Sequence, residues 1–290
     1  MKITILILLC ALSFPLYAFE VMDLFQYPDD TYVYTSRDVG LRRWQASSLY
    51  KTGTFSLTFD DGPHPTRTTI MLDVLKKHHI KGTFFVLTSQ INDGNAHLIK
   101  RMLDEGHIVG SHGFTHDRSS ELAQKVWKER VTKSFVDLAH WHKVAGHEMT
   151  KFYYRFPYGN YGTRSDYHHI NALRDLSREL MGENCIHMAF WDIDTADWVP
   201  GMTAQEVAQN IIANNEGGTY IDFKLENGTY IKVPYQIKDA PAGGVVLQHD
   251  VQGPTAEGID IFLKYAAEKH LRIVPLDEVD EFKITKNCRL

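Results

Sequence analysis

Short apolar runs rich in β-branched and aromatic residues alternate along the chain with longer stretches in which apolar residues recur at helical spacing. The short runs predict buried strands, and the helical spacing predicts amphipathic helices. Seven strands are predicted, at residues 54–59, 83–87, 107–110, 152–156, 187–191, 245–248 and 271–274. Two helical faces are predicted, by Met71, Val74, Leu75 and His78 and by Trp127, Val131, Phe135 and Leu138. Because helices separate the strands, we expect about seven parallel strands in an α/β sheet or barrel.

Two segments break this alternation. Residues 19–51 are aromatic and turn-rich without a clear period, and we expect an N-terminal extension packed on the barrel. Residues 219–237 contain two strand-like runs around Asn227-Gly228, a pair that supports the positive φ angles of a tight hairpin turn. We therefore expect a β-hairpin insertion near 217–240, and no linker or repeat indicates a second domain.

The first 18 residues have the pattern of a signal peptide. Lys2 precedes an apolar run over residues 3–12, and Ala18 supplies the small residue beside a cleavage site. The run is too short to span a bilayer, so we expect cleavage near Ala18 and export to the periplasm or the medium without a stable membrane anchor. A retained anchor is the alternative. Cys10 lies within the apolar run with no small residue before it, so lipidation is not expected.

Export would decide the environment of the cysteines. Cys185 and Cys288 would be the two cysteines of the mature chain, in an oxidising compartment. We expect two free, buried thiols. A single disulfide is the alternative, since the sequence does not give their distance in space.

Composition narrows the functional classes. A chain of 290 residues with 43% hydrophobic residues can bury a sizeable core, so disorder is not expected. The 31 basic and 36 acidic residues give a net charge of -5, which provides no basic surface for phosphates, so nucleic acid is not an expected partner. The 15 histidines are numerous, and imidazole is the commonest metal ligand.

Chemically active residues follow the predicted strands. Asp60 and Asp61 end the first strand before a Gly-Pro turn, and neighbouring side chains on an extended backbone point in different directions. One carboxylate can thus bind a metal while the other acts as a base. His112 and His116 follow the third strand at a spacing that lets two imidazoles converge. Together they predict a catalytic metal site, whereas each motif alone is also compatible with a solvated turn or with surface histidines.

Three more polar clusters follow later strands. They are Arg155-Phe-Pro-Tyr158-Gly, Asp192-Ile-Asp194-Thr-Ala-Asp197-Trp198, and Leu247-Gln-His249-Asp250. Active sites of barrels built from parallel strands gather at the carboxyl ends of the strands. We therefore expect all five clusters to meet at one site.

These motifs carry a family resemblance. Thr-Phe-Asp-Asp-Gly-Pro, His-x-x-x-His, Arg-x-Pro-Tyr-Gly, Asp-x-x-Asp-Trp and Leu-x-His-Asp, in this order over residues 54–275, resemble the polysaccharide deacetylases, also called carbohydrate esterase family 4 or the NodB homology domain. The resemblance implies a distorted (β/α)-barrel with fewer than eight strands, and a catalytic domain over residues 52–290. It also implies a metal-dependent hydrolase, usually with zinc, that removes N-acetyl groups from N-acetylglucosamine-type residues of a cell-wall polysaccharide. Peptidoglycan is the first expectation and a chitin-like polymer the next; an O-acetyl polysaccharide esterase and a non-catalytic glycan-binding protein are the alternatives.

The resemblance also implies a role for each matching residue. The metal would be held by Asp61, His112 and His116. The general base would be Asp60, oriented by Arg155, and the general acid would be His249, paired with Asp197. The backbone N–H of Tyr158 would bind the oxyanion, and Trp198 and Leu247 would line the pocket for the acetyl methyl group. Asp192 and Asp194 remain alternative partners for His249.

The metal loop departs from the family pattern. The family commonly has Ser or Thr directly after the first metal-binding His, whereas this chain has Gly113, and Asp117 follows His116. Thr115 is the nearest candidate for the missing hydroxyl. Aromatic side chains near the motifs or on the hairpin are candidates for stacking on sugar rings, although core packing is the commoner fate of a tyrosine; they are Tyr161, Tyr167 and Tyr220.

Overall fold

The structure is a computed structural model that describes residues 35–36, 43–44, 46–161, 168–284 and 287–290. The predicted signal peptide lies outside these ranges, as do most of the predicted extension and Tyr167. In the described end of the extension, Ala46 and Leu49 are buried, and the Ser47 hydroxyl donates a hydrogen bond to Glu281 at 2.9 Å.

The strands of the described residues form one large parallel sheet and two small antiparallel pairs. The parallel strands are β3 (Thr54–Asp60), β4 (Thr83–Val86), β5 (Ile108–Ser111), β6 (Phe152–Tyr154), β7 (Ile186–Met188), β8 (Ile193–Asp194), β11 (Gly243–His249) and β12 (Arg272–Ile273). Seven of them run in the order β7-β6-β5-β4-β3-β11-β8, and β12 also pairs with β3. The antiparallel pairs are β1 (Thr35–Ser36) with β2 (Arg43–Trp44), and β9 (Gly218–Glu226) with β10 (Thr229–Ile237).

The predicted distorted barrel of about seven parallel strands with an added hairpin is confirmed. Each of the seven predicted strands is found within three residues of its expected bounds. The strand that the pattern misses is β8, because two residues are too few to show a period. All pairings within the large sheet are parallel, so the carboxyl ends of the strands lie at one edge.

Helices connect most of the strands. They are α1 (Arg67–Lys77), α2 (Ala96–Asp104), α3 (Gln124–Val144), α4 (His168–Met181), α5 (Ala204–Glu216) and α6 (Thr255–Glu268). The predicted face of α3 is buried throughout, whereas in α1 Met71 and Leu75 are buried and His78 follows the helix, 2.7 Å from Asp260. Within the described ranges, none of these helices combines the length and apolarity that a bilayer crossing requires.

The predicted hairpin is present as a long ribbon made of β9 and β10. All nine residues of each strand are paired, from Gly218 with Ile237 to Glu226 with Thr229. Asn227 and Gly228 connect the strands with φ angles of 50° and 77°, which is the turn geometry that an Asn-Gly pair favours.

The expectation of two free thiols is wrong, because Cys185 and Cys288 form a disulfide with a Cα–Cα distance of 6.0 Å. The Tyr153 hydroxyl of β6 donates to the carbonyl oxygen of Phe282 at 2.6 Å, which holds the C-terminal segment beside the sheet. Cys185 lies next to β7, the neighbour of β6. A separation of 103 residues in sequence gave no sign of this proximity.

Candidate active site

Asp60 and Asp61 diverge at the carboxyl end of β3. Asp60 is the last residue of the strand and is 2% exposed, whereas Asp61 adopts a φ of 75°. This left-handed conformation turns the chain out of the strand, and Asp tolerates it better than most residues. The two carboxylates therefore face different partners.

Gly62 is required by close packing against Asp250. A Cβ added at Gly62 would lie 2.5 Å from Oδ2 of Asp250, a carboxylate that also accepts a hydrogen bond from the Thr68 hydroxyl. Burial raises the pKa of Asp250 to about 7. Asp250, which follows β11, thus packs directly against the turn after Asp61.

Asp61, His112 and His116 converge on a small volume. Oδ1 of Asp61 lies 3.5 Å from Nε2 of His112 and 3.3 Å from Nε2 of His116, and the three candidate ligand atoms lie within 4.8 Å of one another. Oδ1 is buried and accepts no hydrogen bond from the described residues. Because an unsatisfied buried carboxylate oxygen is costly, two imidazole nitrogens around it fit a divalent cation well.

His112 is held in the state that metal binding needs. Its Nδ1 lies 2.9 Å from the carbonyl oxygen of Arg155, which favours a proton on Nδ1 and leaves Nε2 free to bind a metal. Burial lowers the pKa of His112 to about 3, so the imidazole is neutral at physiological pH. Zinc ligation requires this neutral form.

The loop between the two histidines is braced from outside. Gly113 has a φ of 93°, and a Cβ there would lie 3.2 Å from the Thr115 carbonyl oxygen, so the loop favours glycine. The Thr115 hydroxyl, the candidate for the hydroxyl absent at Gly113, donates instead to Asp117. Asp117 also forms an ion pair with Arg130 of α3. The two departures from the family pattern, Gly113 and Asp117, thus belong to one local arrangement.

Arg155 fixes Asp60 in the floor of the site. Its guanidinium is fully buried and donates from Nη1 to Oδ1 of Asp60 at 2.9 Å and to the Thr58 hydroxyl at 2.7 Å. It also donates to the carbonyl oxygens of Ala189 and Phe190. Burial raises the pKa of Asp60 above its ordinary value, and Arg155 opposes this shift. Oδ2 of Asp60 lies 3.7 Å from Nε2 of His112, so this carboxylate borders the candidate metal site.

His249 at the end of β11 is paired with Asp197. Nδ1 of His249 lies 2.8 Å from Oδ1 of Asp197, whose Oδ2 accepts hydrogen bonds from the His249 backbone N–H at 2.7 Å and the Thr255 hydroxyl at 2.6 Å. Burial alone would lower the pKa of His249, but the Asp197 carboxylate raises it to about 10. The imidazole is therefore protonated at neutral pH.

The two other carboxylates of this segment have different partners. Asp192 accepts hydrogen bonds from the backbone N–H groups of Val245 and Ala46. Asp194 accepts one from the backbone N–H of Ala196 at 2.8 Å, and burial raises its pKa to about 6. The structure thus pairs His249 with Asp197, as the motif position implied.

Tyr158 borders the candidate metal site with its ring. Its ring centroid lies 4.3 Å from that of His116, and the Arg118 guanidinium lies 4.3 Å from the same ring on an exposed part of the surface. Tyr158 is 55% exposed and has a φ of 58°, an unusual conformation that tends to occur at functional sites.

Trp198 and Leu247 lie beside the His249–Asp197 pair. Leu247 is buried on β11 two residues before His249, so both side chains lie on the same face of the sheet. Trp198 is half-buried. Of the tyrosines considered for sugar stacking, Tyr161 and Tyr220 are only 6% and 3% exposed, so they pack in the core, which is the commoner fate of a tyrosine.

Supporting residues were missed by the sequence analysis. Thr58 binds the guanidinium that holds Asp60, Thr255 binds the carboxylate that holds His249, and Thr68 binds Asp250. Thr58 is the first residue of the Thr-Phe-Asp-Asp-Gly-Pro motif, although no role was predicted for it. Buried threonines at helix ends are common, so no sequence signal distinguished Thr68 and Thr255. The residues that were predicted, at the ends of five strands, lie at one edge of the sheet.

Comparisons with known proteins agree with this geometry. The family profile described as polysaccharide deacetylase matches residues 50–176. The peptidoglycan-N-acetylglucosamine deacetylase PgdA of Listeria monocytogenes is 29% identical over 227 residues, which are 77% of this chain and 38% of that protein. The chain thus spans well under half the length of this relative.

A shorter relative and a solved structure match over more of their length. A chitooligosaccharide deacetylase of Rhizobium leguminosarum bv. phaseoli is 32% identical over 183 residues, which are 62% of this chain and 69% of that protein. A family 4 acetyl xylan esterase from Clostridium thermocellum, solved with a cobalt ion, has a TM-score of 0.56 at 25% identity and covers 78% of this chain and 89% of its own. The chain therefore belongs to the polysaccharide deacetylase family.

Proposed function

We propose that this protein is an exported, divalent-metal-dependent hydrolase that removes N-acetyl groups from N-acetylglucosamine-type residues of a cell-wall polysaccharide. Peptidoglycan is the preferred substrate in this proposal and a chitin-like polymer the next. The observation that carries it is the buried Oδ1 of Asp61 between Nε2 of His112 and Nε2 of His116, without a hydrogen bond from the described residues.

Asp61, His112 and His116 would hold the metal, and zinc suits one carboxylate with two imidazoles. A divalent metal bound there supplies Lewis acidity toward the amide carbonyl and lowers the pKa of water. Three protein ligands leave coordination positions open, which distinguishes a catalytic site from a structural one.

Asp60 would act as the general base. Its carboxylate borders the cluster and accepts the proton of the attacking water, while Arg155 keeps one of its oxygens in place. Burial raises the pKa of Asp60 and makes the carboxylate more basic, and Arg155 opposes this shift by favouring the charged form. Attack on the amide carbon forms a C–O bond and places negative charge on the former carbonyl oxygen.

His249 would act as the general acid, and Tyr158 would stabilise the oxyanion. The backbone N–H of Tyr158 would donate to the developing oxyanion, which gains more from this bond than the planar amide does. The protonated His249 would give its proton to the departing nitrogen as the C–N bond breaks. The products would be acetate and a free amine. Trp198 and Leu247 would line the pocket for the acetyl methyl group.

The polymer is inferred from the relatives and from the predicted export. The Listeria relative is named for N-acetylglucosamine of peptidoglycan and the Rhizobium relative for chitooligosaccharides. A net charge of -5 gives no reason to propose a nucleic acid as the substrate.

An O-acetyl polysaccharide esterase is the second candidate, because the structural relative from Clostridium thermocellum is an acetyl xylan esterase. The same base, acid and metal would cleave an ester. A non-catalytic glycan-binding protein is disfavoured by the presence of base, acid and all three candidate ligands; they are Asp60, His249, Asp61, His112 and His116.

Mass spectrometry of three substrates tests the proposal. Zinc-loaded protein is incubated with muropeptides, N-acetylglucosamine oligomers and acetylxylan, and loss of acetyl mass is followed. We expect loss from muropeptides and oligomers, abolished by chelation and restored by zinc. Loss from oligomers alone would contradict the peptidoglycan assignment, loss from acetylxylan alone would favour the esterase, and loss from none would contradict hydrolysis.

A further inference from the structure

The β9–β10 ribbon is fixed to the segment that carries Asp197 and Trp198. Asn210 of α5 is fully buried and donates to the carbonyl oxygens of Thr195 and Ile221 at 2.9 Å, while its own oxygen accepts from the backbone N–H of Ile221. The Tyr220 hydroxyl donates to the carbonyl oxygen of Asp194 at 2.8 Å. The base of the ribbon therefore has a defined position relative to the acid side of the site.

A second set of contacts holds the middle of the ribbon. The Lys232 ammonium donates to the carbonyl oxygen of Gly201 at 2.9 Å and to Glu206 at 2.8 Å. Ile221 and Phe223 pack on an apolar cluster formed by Ala196, Val199, Met202 and Val207. These contacts oppose a hinge motion of the ribbon away from the barrel.

The ribbon also surrounds the Trp198 indole. The ring centroids of Phe223 and Tyr230 lie 4.5 Å and 4.8 Å from that of Trp198, with interplanar angles of 69° and 87°. Edge-to-face pairs of this kind stabilise a fixed ring orientation. Trp198 follows Asp197 directly, so this aromatic group adjoins the His249–Asp197 pair.

Beyond Trp198 the same face of the ribbon is exposed and apolar. Leu225 and Tyr230 are cross-strand partners, and Leu225 lies two residues beyond Phe223 on the same face of β9. They are 61% and 38% exposed. A strip from Trp198 through Tyr230 to Leu225 therefore runs toward the turn of the ribbon, extending about 7 Å along the strand past Phe223.

We propose that Tyr230 and Leu225 extend the apolar surface of Trp198 and bind the sugar ring next to the one that is deacetylated. The apolar face of a pyranose ring packs on an aromatic ring in the way that other apolar groups do. The ribbon thereby makes the protein prefer a polymer chain over a single sugar. This inference rests on the proposed function for the identity of the sugar and for the position of the ring that is deacetylated.

Tyr235 offers a matched control on the same strand. It is 49% exposed and pairs with Tyr220, so it lies on the face of the ribbon opposite Tyr230. Loss of its ring removes a similar exposed aromatic group without altering the strip beside Trp198.

Calorimetric binding to the zinc-loaded Asp60→Asn variant tests the subsite, since this variant would bind sugar without turning it over. The probes are the N-acetylglucosamine hexamer and the monomer. Adding Tyr230→Ala or Leu225→Ala is expected to weaken hexamer binding about 5- to 10-fold and to leave monomer binding unchanged. Tyr230→Phe and Tyr235→Ala should bind the hexamer as the parent does.

Three results would overturn the inference: hexamer binding unaffected by Tyr230→Ala, equal weakening for hexamer and monomer, or no hexamer binding by the parent. Equal weakening would mean that Tyr230 only supports Trp198. Acetate release by the unmutated protein, measured separately, tests the proposed function. Selective hexamer binding without acetate release would retain the subsite and reject the hydrolase.

Discussion

Nδ1 of His249 lies 2.8 Å from Oδ1 of Asp197, and the backbone N–H of His249 donates to the other oxygen of the same carboxylate. The orientation of the imidazole thus depends on one buried side chain, which also raises the pKa of the imidazole more than the nearby Asp61 and Asp60 do. Asp197 does not touch a substrate in this account; it is a positioning residue that keeps His249 protonated.

Asp197→Asn is expected to move the high-pH limb of the activity profile toward neutral pH. The pKa of His249 is raised to about 10 by Asp197 against the effect of burial, so removing the charge lowers that pKa. A general acid is active while protonated, and activity should therefore be lost at a lower pH. We expect kcat/KM at neutral pH to fall by about 100-fold or more. The check is kcat/KM measured against pH.

Thr255→Val provides a graded control for this prediction, because its hydroxyl donates to the same carboxylate without carrying charge. We expect a smaller loss of kcat/KM in this variant, without a large shift of the high-pH limb of the activity profile. If Asp197→Asn lowered activity equally at every pH, its role would be to hold the fold rather than to set the charge of His249.

Asp61→Asn is expected to weaken zinc binding by at least about 100-fold, since it replaces the one anionic ligand of the cluster. Competition against a chromophoric chelator measures the affinity, and circular dichroism checks that the fold is retained. His97→Gln, an exposed change on α2, should bind zinc like the unmutated protein. Equal zinc affinity in all three proteins would contradict the assigned ligands.

Gly113→Ser, which restores a residue common in the family, is expected to destabilise this chain. The φ of 93° is unfavourable for a side chain by about 1–2 kcal/mol, and the new Cβ would crowd the Thr115 carbonyl oxygen at 3.2 Å. Urea unfolding gives the change in free energy. Gly253→Ser, where an added Cβ meets nothing within 4 Å, should alter stability by less than about 0.5 kcal/mol. Two equally stable variants would show that the Gly113 loop adapts freely.

Removal of the Cys185–Cys288 disulfide is expected to lower the free energy of unfolding by about 2–5 kcal/mol, because it closes a loop of 103 residues in the unfolded chain. The double Cys→Ala variant and the reduced unmutated protein should show similar losses in chemical denaturation. An unchanged midpoint in both would contradict a stabilising disulfide.

The sequence predicted the regular parts of this molecule well. The strand β3 carries Phe55, Leu57 and Phe59 at alternate positions, β11 carries the apolar run Val245-Val246-Leu247, and Asn227-Gly228 has the conformational preference of its turn. The five motifs at strand ends were predicted to meet because parallel strands end at one edge. These features depend on local pattern or on topology alone.

The remaining features depend on contacts between distant segments. Pairing of Cys185 with Cys288 requires the C-terminal segment to return beside β6 and β7, which leaves no local pattern. Packing of the ribbon on Trp198 depends on Asn210, whose buried amide resembles any other helical asparagine in sequence. Gly113 was recognised as a departure, but its φ angle and the bracing by Asp117 emerged only in three dimensions.

The rate of acetate release from the N-acetylglucosamine hexamer by zinc-loaded protein, with and without Asp60→Asn, tests directly whether the protein is a deacetylase with Asp60 as its base. We predict release by the unmutated protein and a loss of at least about 100-fold in the variant, with zinc still bound in both. Release at the same rate by Asp60→Asn would contradict this assignment, because Asp60 is the carboxylate that both accepts a hydrogen bond from Arg155 and borders His112.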